Sequence, residues 1–175
     1  MAEAPSSLTY SSIVSRDSVR IALMISALND LKVLACDTQN DFLTAKCRDK
    51  CYTRAGPEFG SDRGKLMLIT RALYGLKTSS ASFWSYLAET LYELGYTPTK
   101  ADPDIWLPEA VKADGFQYYE MILCYVDDVL CISDDSMKTM KGIHRTFKLD
   151  YDKIDEPKYY LGATLEKMIL SDGSQ

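Results

Sequence analysis

Two apolar runs flank a pair of carboxylates in the segment MILCYVDDVLCIS, which occupies residues 121–133. Each run has the length and composition of a buried strand, and the acidic pair between them is typical of a tight turn. The segment therefore predicts a β-hairpin with Asp127 and Asp128 at its tip. A plainer interpretation stays open, because an Asp-Asp pair is a good turn former without any chemistry.

A third carboxylate, Asp37, follows the short apolar run of residues 31–36, which predicts a buried strand. If that strand lies beside the hairpin in one sheet, Asp37, Asp127 and Asp128 meet at its edge. Oxygen ligands suit Mg²⁺, and two such ions about 4 Å apart can clamp the attacking and leaving oxygens of a phosphoryl transfer. The alternative is that Asp37 is only a strand-end residue.

A helix is predicted over residues 16–30, with Ser15 or Asp17 as its cap. Its apolar surface is wide, so we expect it to be largely buried. The residues that widen this surface are Ile21, Met24, Ile25 and Leu28. Residues 1–15 are predicted to be a flexible lead-in.

Two more helices are predicted, one from Ser79 or Ser80 to about Leu94 with Gly95 as its stop, and one over residues 137–149. Strand-like segments and a turn-rich segment fill the remaining chain. The strand-like segments are residues 105–107, 117–125 and 159–169, the turn-rich segment is 47–65, and a final hairpin signal follows at 171–173. Helices alternating with mostly antiparallel strands predict an α+β layered domain.

Composition excludes several classes of protein. The chain has 175 residues, of which 46% are hydrophobic and 26% charged, as in one ordinary globular domain and unlike a disordered chain. No apolar run approaches the roughly 18 residues of a membrane span, and no signal peptide is evident. Cys47 and Cys51 lack a second pair and His144 is the only histidine, which argues against a structural zinc site.

Charge is unevenly distributed along a chain whose net charge is −5. Residues 46–77 carry 8 basic and 3 acidic side chains. Such a stretch can hold phosphates beside a carboxylate cluster, or it can be a solvated face.

Five short motifs occur in one order: DTQNDFL at 37–43, ALYGLK at 72–77, ADP at 101–103, YVDD at 125–128 and YLG at 160–162. Over residues 19–170 the chain resembles the reverse transcriptase of copia-type LTR retrotransposons. The resemblance implies an antiparallel-sheet palm of the right-hand polymerase fold, with helices packed on one face, partial fingers and a truncated thumb. Residues 16–175 would be this region, as a fragment of a longer pol polyprotein.

The resemblance also implies a catalytic site. Asp37 would be the metal ligand of the first strand, Asp127 the second ligand and Asp128 the supporting carboxylate. Two Mg²⁺ ions, with Mn²⁺ as a substitute, would serve the attack of a primer 3′-hydroxyl on the α-phosphate of a dNTP.

Further residues are implied in binding the nucleotide. Phe42 resembles the aromatic gate that excludes a 2′-hydroxyl, and the alternative is that it is a core residue. Gly75 resembles the glycine at which the backbone of these enzymes approaches the nascent base pair, and Tyr74 precedes it. Asp41 replaces the family's alanine and would stand near the incoming triphosphate, where one extra charge costs about 3 kcal/mol at ~5 Å and an effective dielectric of ~20.

Template and primer contacts are implied for Lys77, Leu161 and Gly162. Lys77 can also be a solvated lysine, and Gly162 a glycine at a strand bulge. The implied partners are an RNA or DNA template with its primer, dNTPs, and the ribonuclease H and integrase regions of a pol polyprotein, with no membrane. The implied location is the cytoplasm, in virus-like particles, with the nucleus as a second location and no secretion.

The predicted function is an RNA- or DNA-templated DNA polymerase, and two alternative functions stay open. One is a catalytically inactive remnant that acts at most as a folded interaction module. Asp41 and the expected truncation of fingers and thumb favour it, and the intact Asp37, Asp127 and Asp128 argue against it. The other is a metal-dependent phosphatase with a nucleophilic aspartate at the end of a strand. Such an enzyme requires a second acidic residue two positions further on, where this chain has Gln39, which argues against it.

Overall fold

The computed structural model describes residues 11–38 and 41–168, with the side chain of Asp41 left out. Four helices are α1 (Arg16–Leu28), α2 (Asp41–Thr44), α3 (Ser79–Glu93) and α4 (Ser136–Thr146). Eleven strands are β1 (Lys32–Asp37), β2 (Tyr52–Arg54), β3 (Leu66–Leu68), β4 (Thr97–Pro98), β5 (Ile105–Leu107), β6 (Glu109–Val111), β7 (Gln117–Tyr119), β8 (Met121–Tyr125), β9 (Asp128–Ser133), β10 (Tyr159–Tyr160) and β11 (Ala163–Thr164). None of the described helices has the length and hydropathy that crossing a membrane requires.

The chain divides into two units. Of the described residues, the larger unit comprises 12–38 and 88–168, and the smaller unit comprises 11 and 41–87. The larger unit contains a five-stranded antiparallel sheet in the order β1-β9-β8-β5-β4. The mixed α/β class and the antiparallel sheet predicted from the sequence are therefore confirmed.

The β8–β9 hairpin forms the centre of this sheet, as the apolar runs predicted. Its register pairs Leu123 with Leu130 and Tyr125 with Asp128. Residues 121–124 and 129–133 are all buried. A strand whose successive side chains are all buried must be covered on both faces, because those side chains alternate between them.

The two faces of the hairpin are covered by different helices. Leu123 and Leu130 belong to a core cluster with Val19 and Ala22 of α1. The alternate residue Cys131 donates its thiol hydrogen to the carbonyl of Ser136, the first residue of α4. The expectation that the helices pack on only one face of the sheet was therefore wrong, since α1 and α4 lie on opposite faces.

Helix α1 begins as predicted, because the Ser15 side chain accepts a hydrogen bond from the Ser18 N–H. Its burial was predicted wrongly. The buried stripe consists of the small residues Val19, Ala22 and Ser26, which let the helix lie close to the sheet. The large apolar residues of the other stripe stay in solvent: Ile21 is 54% exposed, Met24 58%, Ile25 37% and Leu28 76%.

Asp102, in the ADP motif, fastens the start of α1 to the loop between β4 and β5. Its carboxylate accepts hydrogen bonds from the Ser15 N–H at 3.0 Å and the Ser18 hydroxyl at 2.6 Å. Burial alone would raise the pKa of this carboxyl, but these hydrogen bonds and one from the Asp104 N–H outweigh it and lower the pKa. Just before the helix, buried Val14 donates its N–H to the Cys124 carbonyl at 3.1 Å.

The outer edge of β1 is covered by chain that follows α4. Ala35 pairs with Asp155, and Thr38 pairs with Leu149. The single strand predicted over 159–169 was wrong, because β10 and β11 fold back on each other around residues 161–162. The hairpin signal at 171–173 lies outside the described residues.

The smaller unit is turn-rich over 47–65, as predicted, with the β2–β3 hairpin and a 3-10 helix at Pro57–Asp62. Helix α3, which crosses from one unit to the other, starts at Ser79 as predicted. It stops before Gly95, whose φ of +89° favours glycine.

Candidate active site

Asp37 and Asp128 are directly opposite each other on β1 and β9. The Thr38 N–H donates to the Asp127 carbonyl at 2.9 Å, so the Asp37–Asp128 pair is of the non-hydrogen-bonded kind. Side chains of such a pair share one face of the sheet, with Cβ atoms about 4.5–5.5 Å apart. Asp37 is exposed and Asp128 half-buried, so both are open to a ligand.

Asp127 precedes this pair by one residue and stands opposite Thr38. Among described residues 11–38 and 41–168, no three His, Cys, Asp or Glu side chains gather closely enough to hold a metal ion. The strands are neighbours as predicted, the register opposes Asp37 to Asp128, and a site shared by all three carboxylates stays a prediction. Consecutive side chains on a strand alternate between faces, so the register opposes only two of them.

The turn that carries Asp127 is strained. Only Val126 and Asp127 separate the paired residues Tyr125 and Asp128, and Val126 has a φ of +53°. A positive φ at the first turn residue alone is the type II′ form, which favours glycine there. A β-branched residue in this region costs on the order of 1–3 kcal/mol. The tip of the hairpin is therefore held in a rare conformation beside the carboxylates.

A cleft of about 480 Å³ opens beside the carboxylate pair. It is lined by residues 35–37, Asp128, Lys153, 155–157 and 159–162. It brings the predicted primer contacts Leu161 and Gly162 to the same cleft as Asp37 and Asp128. Both turn residues have positive φ, +46° at Leu161 and +83° at Gly162, so Gly162 belongs to a tight turn and not to a bulge.

Lys153 is a cleft residue that the sequence interpretation missed. Its ammonium group lies 2.6 Å from the Asp150 carboxylate. The hydrogen bond to Asp150, then the charges of Asp150 and Asp37, raise the pKa of Lys153 against the cost of desolvation. The three-residue spacing of Asp150 and Lys153 was visible in the sequence, but it did not indicate which strand the pair faces.

Tyr160, a second missed residue, is buried and lines the cleft. Burial, then the charges of Asp128, Cys124 and Tyr125, raise the pKa of its hydroxyl. Within the described residues this buried hydroxyl has no hydrogen-bond partner. Tyr160 therefore contributes apolar packing to the cleft at the cost of one unpaired polar atom.

The predicted nucleotide contacts lie in the smaller unit. Phe42 is only 9% exposed and packs edge-on against Tyr74, with ring centroids 4.6 Å apart, and against Phe83 at 5.8 Å. Tyr74 is 70% exposed. Phe42 therefore combines a core position with contact to a solvent-facing aromatic ring.

Gly75 follows Tyr74 in a type II turn, closed by the Leu76 N–H on the Leu73 carbonyl at 3.2 Å. Its φ is +90°, and a Cβ placed on it would meet nothing within 4 Å. Backbone conformation, not crowding within the chain, favours glycine here. Lys77 is exposed, and the side chain of Asp41 lies outside the described part of the structure.

The chain is similar to a known protein family and to several curated proteins. Residues 3–169 match the family described as reverse transcriptase (RNA-dependent DNA polymerase). The chain is 24% identical over 166 residues to the retrovirus-related Pol polyprotein from transposon RE1 of Arabidopsis thaliana, covering 91% of this chain and 11% of that protein. The chain is also 25% identical over 146 residues to the retrovirus-related Pol polyprotein from transposon TNT 1-94 of Nicotiana tabacum. This match covers 82% of this chain and 10% of that protein.

A yeast protein is similar to this chain over a comparable length. The Transposon Ty1-NL2 Gag-Pol polyprotein of Saccharomyces cerevisiae is 26% identical over 152 residues, covering 82% of this chain and 8% of that protein. The chain thus spans about a tenth of the length of the curated relatives that it matches.

Proposed function

This chain belongs to the reverse transcriptase (RNA-dependent DNA polymerase) family, and on that premise we propose that it is the polymerase region of a copia-type retrotransposon pol polyprotein. The proposed reaction extends a primer with dNTPs on an RNA or DNA template. The five-stranded sheet would be the palm of the right-hand polymerase fold. The ribonuclease H and integrase regions of the same polyprotein are its proposed partners.

One observation carries this proposal: Asp37 and Asp128 are opposed at the mouth of an open cleft. Like charges directly opposite each other in a sheet are unfavourable, and a cation between them relieves the repulsion. Mg²⁺ is commonly held by one or two carboxylates together with substrate phosphates, so two protein ligands fit this ion. When bound, divalent ions stabilise the charge that develops on phosphoryl oxygens.

We assign Asp37 and Asp128 as the carboxylates that hold the divalent ions, Mg²⁺ or Mn²⁺. Asp127 is proposed as a further ligand on family resemblance alone. The primer 3′-hydroxyl would attack the dNTP α-phosphate in line, and pyrophosphate would leave. The carboxylates and the cleft hold the reacting groups in place, while template sequence is read by base pairing.

Primer binding is proposed for the turn at Leu161 and Gly162, because this turn lines the same cleft as Asp128. Its positive φ angles, +46° and +83°, fix the backbone in one tight form. A fixed backbone is suited to hold a primer end, since positioning within about 1 Å controls the rate of a displacement reaction.

Nucleotide binding is proposed for Phe42, Tyr74 and Gly75, with Asp41 beside them in the chain and Lys77 as a template contact. The support is the ring contact of Phe42 with exposed Tyr74 at 4.6 Å. An aromatic ring held from behind, here by Phe83, keeps its position and can exclude a 2′-hydroxyl sterically. Exposed Lys77 can meet a phosphate.

The test is Mg²⁺-dependent primer extension on an RNA template at low salt. We expect extension by the wild-type chain and a loss of at least about 100-fold in Asp37→Asn and Asp128→Asn, because metal stabilisation is worth several kcal/mol. Asp152→Asn, an exposed aspartate near the cleft, makes the same change in charge and should extend normally. Asp127→Asn tests the further ligand and should also abolish extension.

Two results would contradict the proposal. Extension retained in Asp37→Asn or Asp128→Asn would mean that the metal ligands are misassigned. No extension by the wild-type chain would contradict polymerase activity of this chain, while its membership of the family would stand.

A further inference from the structure

Cys47 and Cys51 stand at the two ends of a small loop in the smaller unit. The Cys47 N–H donates to the Thr70 carbonyl at 3.1 Å, and the Ile69 N–H donates to the Cys51 carbonyl at 2.8 Å. Because Ile69 and Thr70 are neighbours, the two cysteines lie opposite adjacent residues of one extended segment. Residues 48–50 therefore bulge away and leave the cysteines side by side.

The two thiols are reduced, partly exposed and in contact. The Cys51 thiol lies within hydrogen-bonding reach of the Cys47 sulfur, and the Cys47 thiol donates to the Asp49 carbonyl at 3.3 Å. Adjacent Cα atoms of a chain are about 3.8 Å apart, and a disulfide spans about 4.4–6.8 Å between Cα atoms. Residues placed opposite adjacent positions are thus within reach of a disulfide without a change in the β2–β3 hairpin.

The other three cysteines are unlike this pair. Cys36, Cys124 and Cys131 are buried, and burial raises the pKa of each thiol, to about 11 for Cys36. Desolvation, then the charges of Cys47 and Asp49, raise the pKa of Cys51 as well, so Cys47 and Cys51 differ from the other three in being partly exposed and next to each other. A buried thiol without its charged form reacts slowly with disulfides. We therefore expect thiol chemistry in the folded chain to concentrate at Cys47 and Cys51.

We propose that Cys47 and Cys51 are a redox-responsive dithiol, which closes to an intramolecular disulfide by exchange with an anionic low-molecular-weight disulfide such as glutathione disulfide. Arg48 and Lys50 lie between the two cysteines in the chain, and their positive charges favour an anionic reagent. Within the described residues, no third His, Cys, Asp or Glu side chain joins the two thiols in a metal-binding group.

The exchange proceeds in two steps. The Cys47 thiolate attacks one sulfur of glutathione disulfide, which forms a mixed disulfide and releases one glutathione thiolate. The Cys51 thiolate then attacks the Cys47 sulfur and releases the second glutathione thiolate. The two protons lost by the protein thiols end on the two glutathione thiols, so two cysteines are oxidised and one glutathione disulfide is reduced.

Closure would restrain the loop next to the ALYGLK motif. The Asp49 carboxylate accepts a hydrogen bond from the Thr78 hydroxyl at 2.8 Å, and Thr78 directly follows Lys77, the last residue of that motif. Forming the disulfide removes the thiol hydrogen that Cys47 donates to the Asp49 carbonyl. Oxidation therefore fixes Arg48 and Lys50 within a closed ring, and reduction releases them.

The test uses the full folded chain incubated with glutathione disulfide, alkylated under denaturing conditions and analysed by mass spectrometry. We expect the protein mass to fall by about 2 Da before alkylation, since two hydrogens leave. Of its five cysteines, the three buried ones should be alkylated and two should not. Trypsin cuts after Arg48 and Lys50, so the disulfide should join two separate peptides that carry Cys47 and Cys51.

Single variants separate this chemistry from simple adduct formation. Cys51→Ser should stop at a stable mixed disulfide of Cys47 with glutathione, and dithiothreitol should reverse both products. Three results would overturn the proposal: all five thiols alkylated in the wild-type chain, mixed disulfides that persist in it, or disulfide-linked dimers as its main product.

Discussion

Asp37 and Asp128 face each other as a non-hydrogen-bonded pair on neighbouring antiparallel strands, beside the Thr38 N–H that donates to the Asp127 carbonyl at 2.9 Å. This places two carboxylates at their closest approach in a sheet, where their repulsion is greatest. The two carboxylates lie at the mouth of a cleft that Lys153 also lines. The proposed cation-binding role would account for two acidic residues at these opposed positions.

The hairpin tip is expected to gain stability when its strain is removed. Val126 has a φ of +53°, which costs an L-residue roughly 1–2 kcal/mol and glycine nothing. Val126→Gly should therefore be more stable than Val126→Ala by about 1 kcal/mol, because alanine keeps the strain and loses the same side chain. Urea unfolding measures the difference, and an alanine variant as stable as the glycine variant would contradict the strain.

Asp102 is expected to stabilise the fold in a pH-dependent manner. Asp102→Ala removes the hydrogen bonds of a carboxylate to Ser15 and Ser18, worth about 2–3 kcal/mol in all. Because those bonds lower the folded-state pKa, the contribution is complete above the unfolded value of about 3.9 and disappears as pH falls through the folded pKa.

Urea unfolding of Asp102→Ala and the wild-type chain at neutral and acidic pH measures this contribution. The two free energies of unfolding should converge in acid. The exposed Asp152→Ala serves as control and should leave stability unchanged. A difference between Asp102→Ala and wild type that stays constant with pH would mean that the hydrogen bonds are not to a carboxylate.

Tyr160→Phe is expected to stabilise the chain, because it removes a buried hydroxyl that has no partner among the described residues. The gain should be about 1 kcal/mol, the lower end of the cost of such a group. Thermal unfolding measures it, with exposed Tyr159→Phe as the matched control. Lower stability in Tyr160→Phe would indicate that the hydroxyl makes a bond in solution.

Phe42 is expected to act both in packing and in nucleotide selection. Phe42→Ala should cost about 3 kcal/mol of stability, since Phe42 is 9% exposed and contacts Tyr74 and Phe83. In primer extension it should also admit ribonucleotides, which Phe42→Leu, with most of the volume kept, should admit less. Lost stability with unchanged discrimination would leave Phe42 as a core residue only.

Local signals in the sequence predicted the elements that carry the candidate site. Apolar runs of strand length on both sides of Asp127-Asp128 required a hairpin, and the apolar run before Asp37 required a neighbouring strand. Caps and stops were equally clear at Ser15 and Gly95, since each has a specific backbone role. These signals depend on residues close in sequence, so they need no knowledge of the tertiary fold.

Other features depend on packing that a single sequence does not encode locally. Both stripes of α1 are apolar, and only the sheet selects the small residues Val19 and Ala22 for burial over Met24 and Leu28. The local pattern of residues 159–169 did not indicate the β10–β11 turn, because Leu161 is an unusual residue at a φ of +46°. Lys153 was missed because its proximity to Asp37 arises from the chain after α4 that covers the edge of β1.

The central claim is that Asp37 and Asp128 together hold a divalent cation, and Mn²⁺ binding to the folded chain, followed by the electron paramagnetic resonance signal of free Mn²⁺, tests it most directly. The account predicts saturable binding that Mg²⁺ displaces, weakened at least about tenfold in Asp37→Asn and Asp128→Asn. The exposed Asp152→Asn should bind as the wild-type chain does. Equal Mn²⁺ affinity in all four proteins would contradict the claim.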